Sequence, residues 1–456
     1  MKFQFISNKQ IIKAQQYLIL SVPFLLITGP FLSDLAVVIT SILFLVYVFR
    51  NKEFKYFDST FFKLFIIFNI YIVLTSFLSE HILYSLKTSL TYFRFGLFSL
   101  GVWLVLDHKP STIKYLFFSF LLIYSFLVFD GLKQFFTKEN IFGVYLASGH
   151  RVTSLFGDEA ILGSYLSRLL PMFFACLIFL NKDNKNNNYF YYFSFLFILI
   201  DILVFITAER TALFLVNFAA IILMILLINY KKFRFLTLII SISIFSIISI
   251  YYPAAKIRLI DQTLDQIGID KNKVEIFLSS DEIYKEHTGV NYDDDDKKYI
   301  FSKNYHEIYH TSFKIFKDNI YFGIGPKNFR KFCDDISFKV GSGCSTHPHN
   351  TYIQILTETG IIGFIYLFSV FMILSYYFML HFYKMYVKKK PFFDDFQIAL
   401  LVCIFISIWP LMPGGNFFNN WLSIVYFYPV GFFIWTLNKK VYKENKKVYK
   451  KAIVYE

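Results

Sequence analysis

His347-Pro348-His349-Asn350-Thr351-Tyr352-Ile353-Gln354-Ile355-Leu356-Thr357-Glu358-Thr359-Gly360-Ile361-Ile362-Gly363 leads into an apolar run that continues to residue 382. A helix needs about 20 apolar residues to cross the hydrocarbon of a bilayer. The run 352–382 exceeds that length, so its polar start is expected outside the membrane. Asn350 is suited to cap the helix, and Gln354 and Glu358 share one of its faces.

The rest of the chain repeats the apolar half of this pattern. With 60 Phe, 33 Tyr and a mean hydropathy of +0.50, it carries more apolar surface than a soluble fold could hide. The spacing predicts twelve helices, near 16–30, 32–49, 61–78, 89–106, 113–132, 160–180, 189–206, 211–228, 235–252, 352–382, 397–411 and 422–437. The fold class is an all-α polytopic membrane protein, with membrane lipids as its solvent. Gly29-Pro30 predicts a tight turn between the first two helices.

The net charge of +14 does not read as nucleic-acid binding, because the lysines fall in short clusters between apolar runs. With the N-terminus inside, the inner loops carry Arg50/Lys52/Lys55, Lys109/Lys114, Lys182/Lys185, Lys231/Lys232/Arg234, Lys384/Lys388/Lys389/Lys390 and the tail from Lys439. The short outer loops carry only Lys87, Lys133, Lys138, Arg151 and Arg210. Alternation and positive-inside bias agree, and both termini are expected in the cytoplasm.

One outer loop is long. Three regions are expected: 1–252 and 351–456 in the membrane, and 253–350 as an outer loop. Ile308, Phe313, Ile315 and Phe316 predict an amphipathic helix there, lying at the interface. The run Asp293–Asp296 reads as a solvated acidic turn, and no metal site is expected. Cys333 and Cys344 could pair in an oxidising space, whereas Cys176 and Cys403 read as core residues. The first apolar run lacks a small-residue cleavage site, so no cleavable leader is expected.

Unusual polar residues gather toward the outer ends of the helices. His150, Arg151, Asp158 and Glu159 precede the helix at 160–180, and Arg168 lies about 13 Å into it, needing an acidic partner or a water-filled cavity. Glu209 and Arg210 sit between two apolar runs, as interface anchors or as partners of other groups. Gly323-Ile324-Gly325-Pro326 lacks the context of a nucleotide loop and reads as a turn that positions Lys327 and Arg330. Histidine titrates near neutrality and can take a proton from a hydroxyl, while arginines can hold phosphate. Together they suggest chemistry on a lipid-linked phosphate.

In four segments the sequence resembles the O-antigen ligase and Wzy-type O-antigen polymerase family of bacterial inner membranes. They are Arg151 to Leu166, Ala208-Glu209-Arg210-Thr211-Ala212, Phe322-Gly323-Ile324-Gly325-Pro326, and His347 through Gly363. The likeness covers residues 140–380. It implies a GT-C-like glycosyltransferase that is metal-independent, needs no cofactor and inverts the anomeric centre. The donor would be an undecaprenyl-diphosphate-linked glycan, the acceptor a glycan or lipid A-core, and the active face periplasmic.

The resemblance also implies residue roles. Arg210 and Arg151 correspond to diphosphate-binding arginines, and His349 to the histidine that activates the acceptor. Glu358 or Asn350 would fix its tautomer, with His347, Glu209 and Glu159 in support. The arginine usual on the loop helix is missing; the neighbourhood reads Asn304-Tyr305-His306-Glu307, leaving His306 or Arg258 to supply that contact. Ligase is the first expectation, polymerase the second, and a flippase or transporter for the same lipid-linked sugar the third.

Overall fold

The computed structural model describes residues 7–147, 151–181, 188–251, 257, 259 and 302–452. His150, Arg258 and the acidic run 293–296 lie outside the described residues. Each of the twelve expected segments is helical. They are α1 (Asn8–Leu25), α2 (Pro30–Asn51), α3 (Thr60–Phe77), α4 (Ile82–His108), α5 (Thr112–Thr137), α6 (Leu162–Asn181), α7 (Asn188–Ile206), α8 (Arg210–Leu226) and α9 (Lys231–Tyr251), then α12 (Thr351–Tyr386), α13 (Asp395–Ser407) and α14 (Asn420–Ala452). Two more helices, α10 (Lys303–Asp318) and α11 (Phe329–Phe332), lie in the long loop. Among the described residues, eight helices are long and apolar enough to cross a membrane: α2 to α6, α9, α12 and α14.

Local chemistry sets the helix ends. Ser7 with Gln10 and Asp394 with Gln397 form reciprocal capping boxes, which satisfy amides that no helical carbonyl can reach. Pro30 opens α2 behind Gly29, whose φ of 108° makes the expected turn. At 13 residues α13 is only about 20 Å long, and the chain continues without helix to Asn420. Irregular backbone at such a depth must be enclosed by protein or line a polar cavity.

Two helices form the centre: α4 packs against α2, α3 and α14, and α6 against α5, α8 and α13. On α12, Ile365, Phe368, Met372, Tyr376, Met379 and Tyr383 are exposed at helical spacing. Hydrocarbon solvates such a stripe; water would not. Cys176 and Cys403 are free and buried, as expected of core residues.

Two expectations need correction. Arg234 is not part of an exposed basic loop. It is buried in α9, where its guanidinium donates to both carboxylate oxygens of Asp201 on α7, at 2.8 and 2.9 Å. A buried charge needs such a partner. In α10 the buried residues are Ile308, Thr311, Ser312 and Ile315, whereas Phe313 is exposed. That face packs on α12 and forms a small core with Ile324, Phe329 and Cys333. Cys333 and Cys344 are disulfide-bonded beside it.

Candidate active site

The unusual sequence segments meet in pairs. In the first pair, Gly323 to Gly325 lies against a break in α12. Gly360 has φ 68° and ψ −173°, a region open almost only to glycine, and interrupts the helical hydrogen bonds. The carbonyls thereby released find other donors: the amide of Ile324 takes Thr357 O at 3.2 Å, that of Gly325 takes Glu358 O at 2.8 Å, and Tyr71 Oη takes Thr359 O at 2.5 Å. A Cβ on Gly323 would meet the Glu358 and Thr359 backbone at 2.5 Å, and one on Gly360 would collide with the carbonyl of Tyr321. The glycines therefore serve close backbone contact.

Glu358 is fully buried in this unit. Its carboxylate accepts from the amides of Lys327 (2.9 Å) and Phe329 (3.3 Å) and from Gln354 Nε2 (2.9 Å). The shared face of Gln354 and Glu358 is as expected. The carboxylate holds the 327–329 turn, and its hydrogen bonds do not include His349.

The second pair joins the start of α6 to the α7–α8 connection. Glu209 Oε1 accepts from the Gly163 amide at 2.8 Å and Oε2 from Ser164 at 3.0 Å, so its carboxyl caps the N-terminus of α6. Gly163 is needed because a Cβ there would meet Thr207 Oγ1 at 2.7 Å and Ala212 Cβ at 2.9 Å. Burial pushes the Glu209 carboxyl up to about 7, opposed chiefly by the nearby positive charge of Arg151. Arg151 also donates to the carbonyls of Thr207 (3.4 Å) and Ala160 (3.5 Å). Arg210 is the first residue of α8, adjacent to Glu209. Arg168 is 5% exposed and bonds to Ser164 Oγ (3.2 Å) and Ser407 O (3.1 Å).

The histidines stand between these pairs. His349 is half-buried with a left-handed φ of 56°, and its Nε2 hydrogen-bonds Ser345 Oγ at 2.9 Å. Its ring lies 4.0 Å from that of His347 and 5.6 Å from that of Tyr305 on α10, centroid to centroid. His347 is 9% exposed, and its Nε2 lies 3.3 Å from Gly414 O. Burial, reinforced by His349, pushes His347 down to about 3, while burial alone lowers His349. Both imidazoles are therefore neutral near pH 7, and His349 is the less enclosed. Asn350 caps α12 as expected, accepting from Tyr352 (2.9 Å) and Ile353 (3.1 Å).

The segment that links both pairs was not singled out from sequence. Residues 408–416 form an irregular loop after α13. Asn350 Nδ2 donates to Pro410 O (2.9 Å) and Met412 O (3.0 Å), and the Gly414 amide to His349 O (2.7 Å). Thr211, next to Arg210, donates to Pro413 O at 3.4 Å, and Gln354 Nε2 to Asn416 Oδ1 at 2.9 Å. The loop thus ties the histidine threshold to the start of α8. Pro410, Pro413, Gly414 and Gly415 were the available signal, hidden at the end of an apolar run.

Of the remaining candidates, His306 is exposed on α10, its ring 4.4 Å from that of His310, while Tyr305 is the α10 residue beside His349. Glu159 is exposed. Among the described residues no group of three or more His, Cys, Asp or Glu is arranged to hold a metal ion.

Residues 194–368 match the family model described as O-antigen ligase. The match falls within the 140–380 region and contains Arg210, His349, Asn350 and Glu358, with Arg151 before it. Residues 194–368 are thus similar to the O-antigen ligase family, within a chain whose described elements are helical. No curated protein matches it.

Proposed function

We propose that the protein is an inner-membrane glycosyltransferase. It moves a glycan from an undecaprenyl-diphosphate donor to an acceptor hydroxyl in surface-polysaccharide assembly, with its site on the periplasmic face. The observation that carries this reading is the 408–416 loop, which joins the neutral, partly accessible His349 to the start of α8, where Arg210 stands three residues after Thr207, whose carbonyl accepts from Arg151.

In the step proposed, the acceptor oxygen attacks the anomeric carbon in line and inverts it. The new carbon–oxygen bond forms as the bond to the diphosphate breaks, and the electron pair leaves with the diphosphate. Arg210 and Arg151 offset that growing charge. The acceptor proton passes to the neutral His349 imidazole, which Ser345 orients. His347, more enclosed and bonded to Gly414, supports the loop. Asn350 holds the backbone next to the base, and Glu358 holds the neighbouring turn. His306 and Arg258 remain candidates for a further phosphate contact.

Purified protein with a lipid-linked donor tests this reading. His349→Ala should lower transfer on the order of 10²- to 10⁴-fold, and Arg210→Ala about 10²-fold or more, with both variants still folded in detergent. His347→Ala should be milder. Wild-type transfer by either of the first two variants would overturn the assignment. A flippase would transfer nothing in detergent.

A further inference from the structure

A cavity of ≈ 450 Å³ opens between the starts of α2, α4 and α14 and the 327 turn, apart from the arginine–glutamate cluster. Its size suits a small-molecule headgroup. Three cations line it, Lys87, Arg94 and Lys327, against one carboxylate, Asp34. Arg94 is fixed in place: Nε donates to Asp34 Oδ1 at 2.9 Å, Nη2 to Asn420 Oδ1 at 3.0 Å, and Nη1 to Thr91 O. That pairing neutralises Asp34. Among the described residues, no hydrogen bond or ion pair engages the ammonium groups of Lys87 and Lys327.

An excess of two positive charges in a cavity favours an anion. Burial, opposed chiefly by the nearby Glu358 carboxylate, holds the Lys327 ammonium below its usual pKa, so the desolvated cation gains from a further counter-charge. Leu35 and Phe93, chain neighbours of Asp34 and Arg94, are 41% and 43% exposed, giving an acyl chain apolar surface to follow. The cavity is wired to the histidine loop: the Lys327 amide holds Glu358, Glu358 meets Gln354, and Gln354 meets Asn416, whose Oδ1 accepts from the Phe418 amide.

We propose that this cavity binds the phosphorylated headgroup of a second amphiphile, with its anion on Lys87 and Lys327. Resting on the transfer reading above, that amphiphile is the acceptor.

The test uses full-length protein in detergent, with short-chain phosphatidic acid, short-chain phosphatidylcholine and inorganic phosphate as probes. Wild type should bind phosphatidic acid about tenfold tighter than phosphatidylcholine, and the Lys87→Gln/Lys327→Gln double variant should lose that advantage. Lys87→Glu, on an exposed side chain, should weaken phosphatidic acid by a similar factor without touching the core. Arg210→Ala should bind it as wild type does. Unchanged binding by the lysine variants overturns the proposal, as does a loss caused by Arg210→Ala instead. Inorganic phosphate competing as well as the lipid would show a free-anion site and also overturn it. If the lysine variants bind normally while Arg210→Ala and His349→Ala abolish transfer, the cavity proposal falls alone. If those two variants still transfer glycan while the lysine variants lose the lipid, the transfer reading falls and the lipid site stands.

Discussion

At the scale of single residues, the proposed site combines an imidazole that stays neutral with a carboxyl that does not stay charged. Burial lowers His349 from its ordinary 6.5, so the proton-accepting form persists as pH falls through that value. Transfer should hold at pH 6.5 and decline only below it. Glu209 is shifted the other way, up to about 7 from an ordinary 4.5, because burial disfavours its charge. Its folded-state value lies above the unfolded one, so ionisation at higher pH opposes folding. The same ionisation strengthens its hold on Arg151, which the proposed donor diphosphate would also require. The KM for donor should therefore rise as pH passes about 7, and Glu209→Gln should remove the rise. Identical KM–pH curves for wild type and Glu209→Gln would contradict this coupling. His349 and Arg210 were legible as candidates because charge and imidazole are rare next to membrane helices. The partners of Glu358 were not legible, since they are backbone amides that no residue pattern announces.

At the scale of elements, the glycine motifs turn out to be docking devices. The break at Gly360 frees three carbonyls, and the 320–325 segment and Tyr71 satisfy them. Buried backbone groups cannot be left without partners inside a membrane protein, so break and segment depend on one another. Gly360→Ala would force a side chain into a φ/ψ region that L-residues avoid and against the Tyr321 carbonyl. It should cost about 1–3 kcal/mol and lower the thermal midpoint in detergent. Ile362→Ala, two positions on and 43% exposed, should change it little. A stable Gly360→Ala protein with an intact site would mean that the break is incidental. Sequence reading found each glycine segment but could not pair them, because contacts between distant stretches leave no local periodicity. The 408–416 loop escaped for a related reason: Trp409, Leu411 and Met412 extend the apolar run of α13, and only the prolines and glycines betray the loss of helix.

At the scale of the whole molecule, apolar periodicity located all twelve helices, because a lipid-facing helix must be apolar over its length. It did not separate helices that meet spanning length from those that fall short, such as α8 and α13. Nor could it foresee that a short helix followed by enclosed irregular backbone would bridge the candidate residues. On the proposed reading that architecture would serve two reactions equally, since ligase and polymerase would use the same donor and differ in what approaches the acceptor side. The polysaccharide profile of a deletion strain separates them. Without a ligase, lipid A-core carries no chain while long undecaprenyl-linked glycans accumulate. Without a polymerase, the core carries a single repeat. The long loop before the late histidine motif favours the first outcome, and restoration by wild type but not by His349→Ala would assign that phenotype to this site. A core bearing single repeats would instead assign the protein to chain growth. Its histidine would then activate a hydroxyl on another lipid-linked glycan, with the same arginines holding the departing diphosphate.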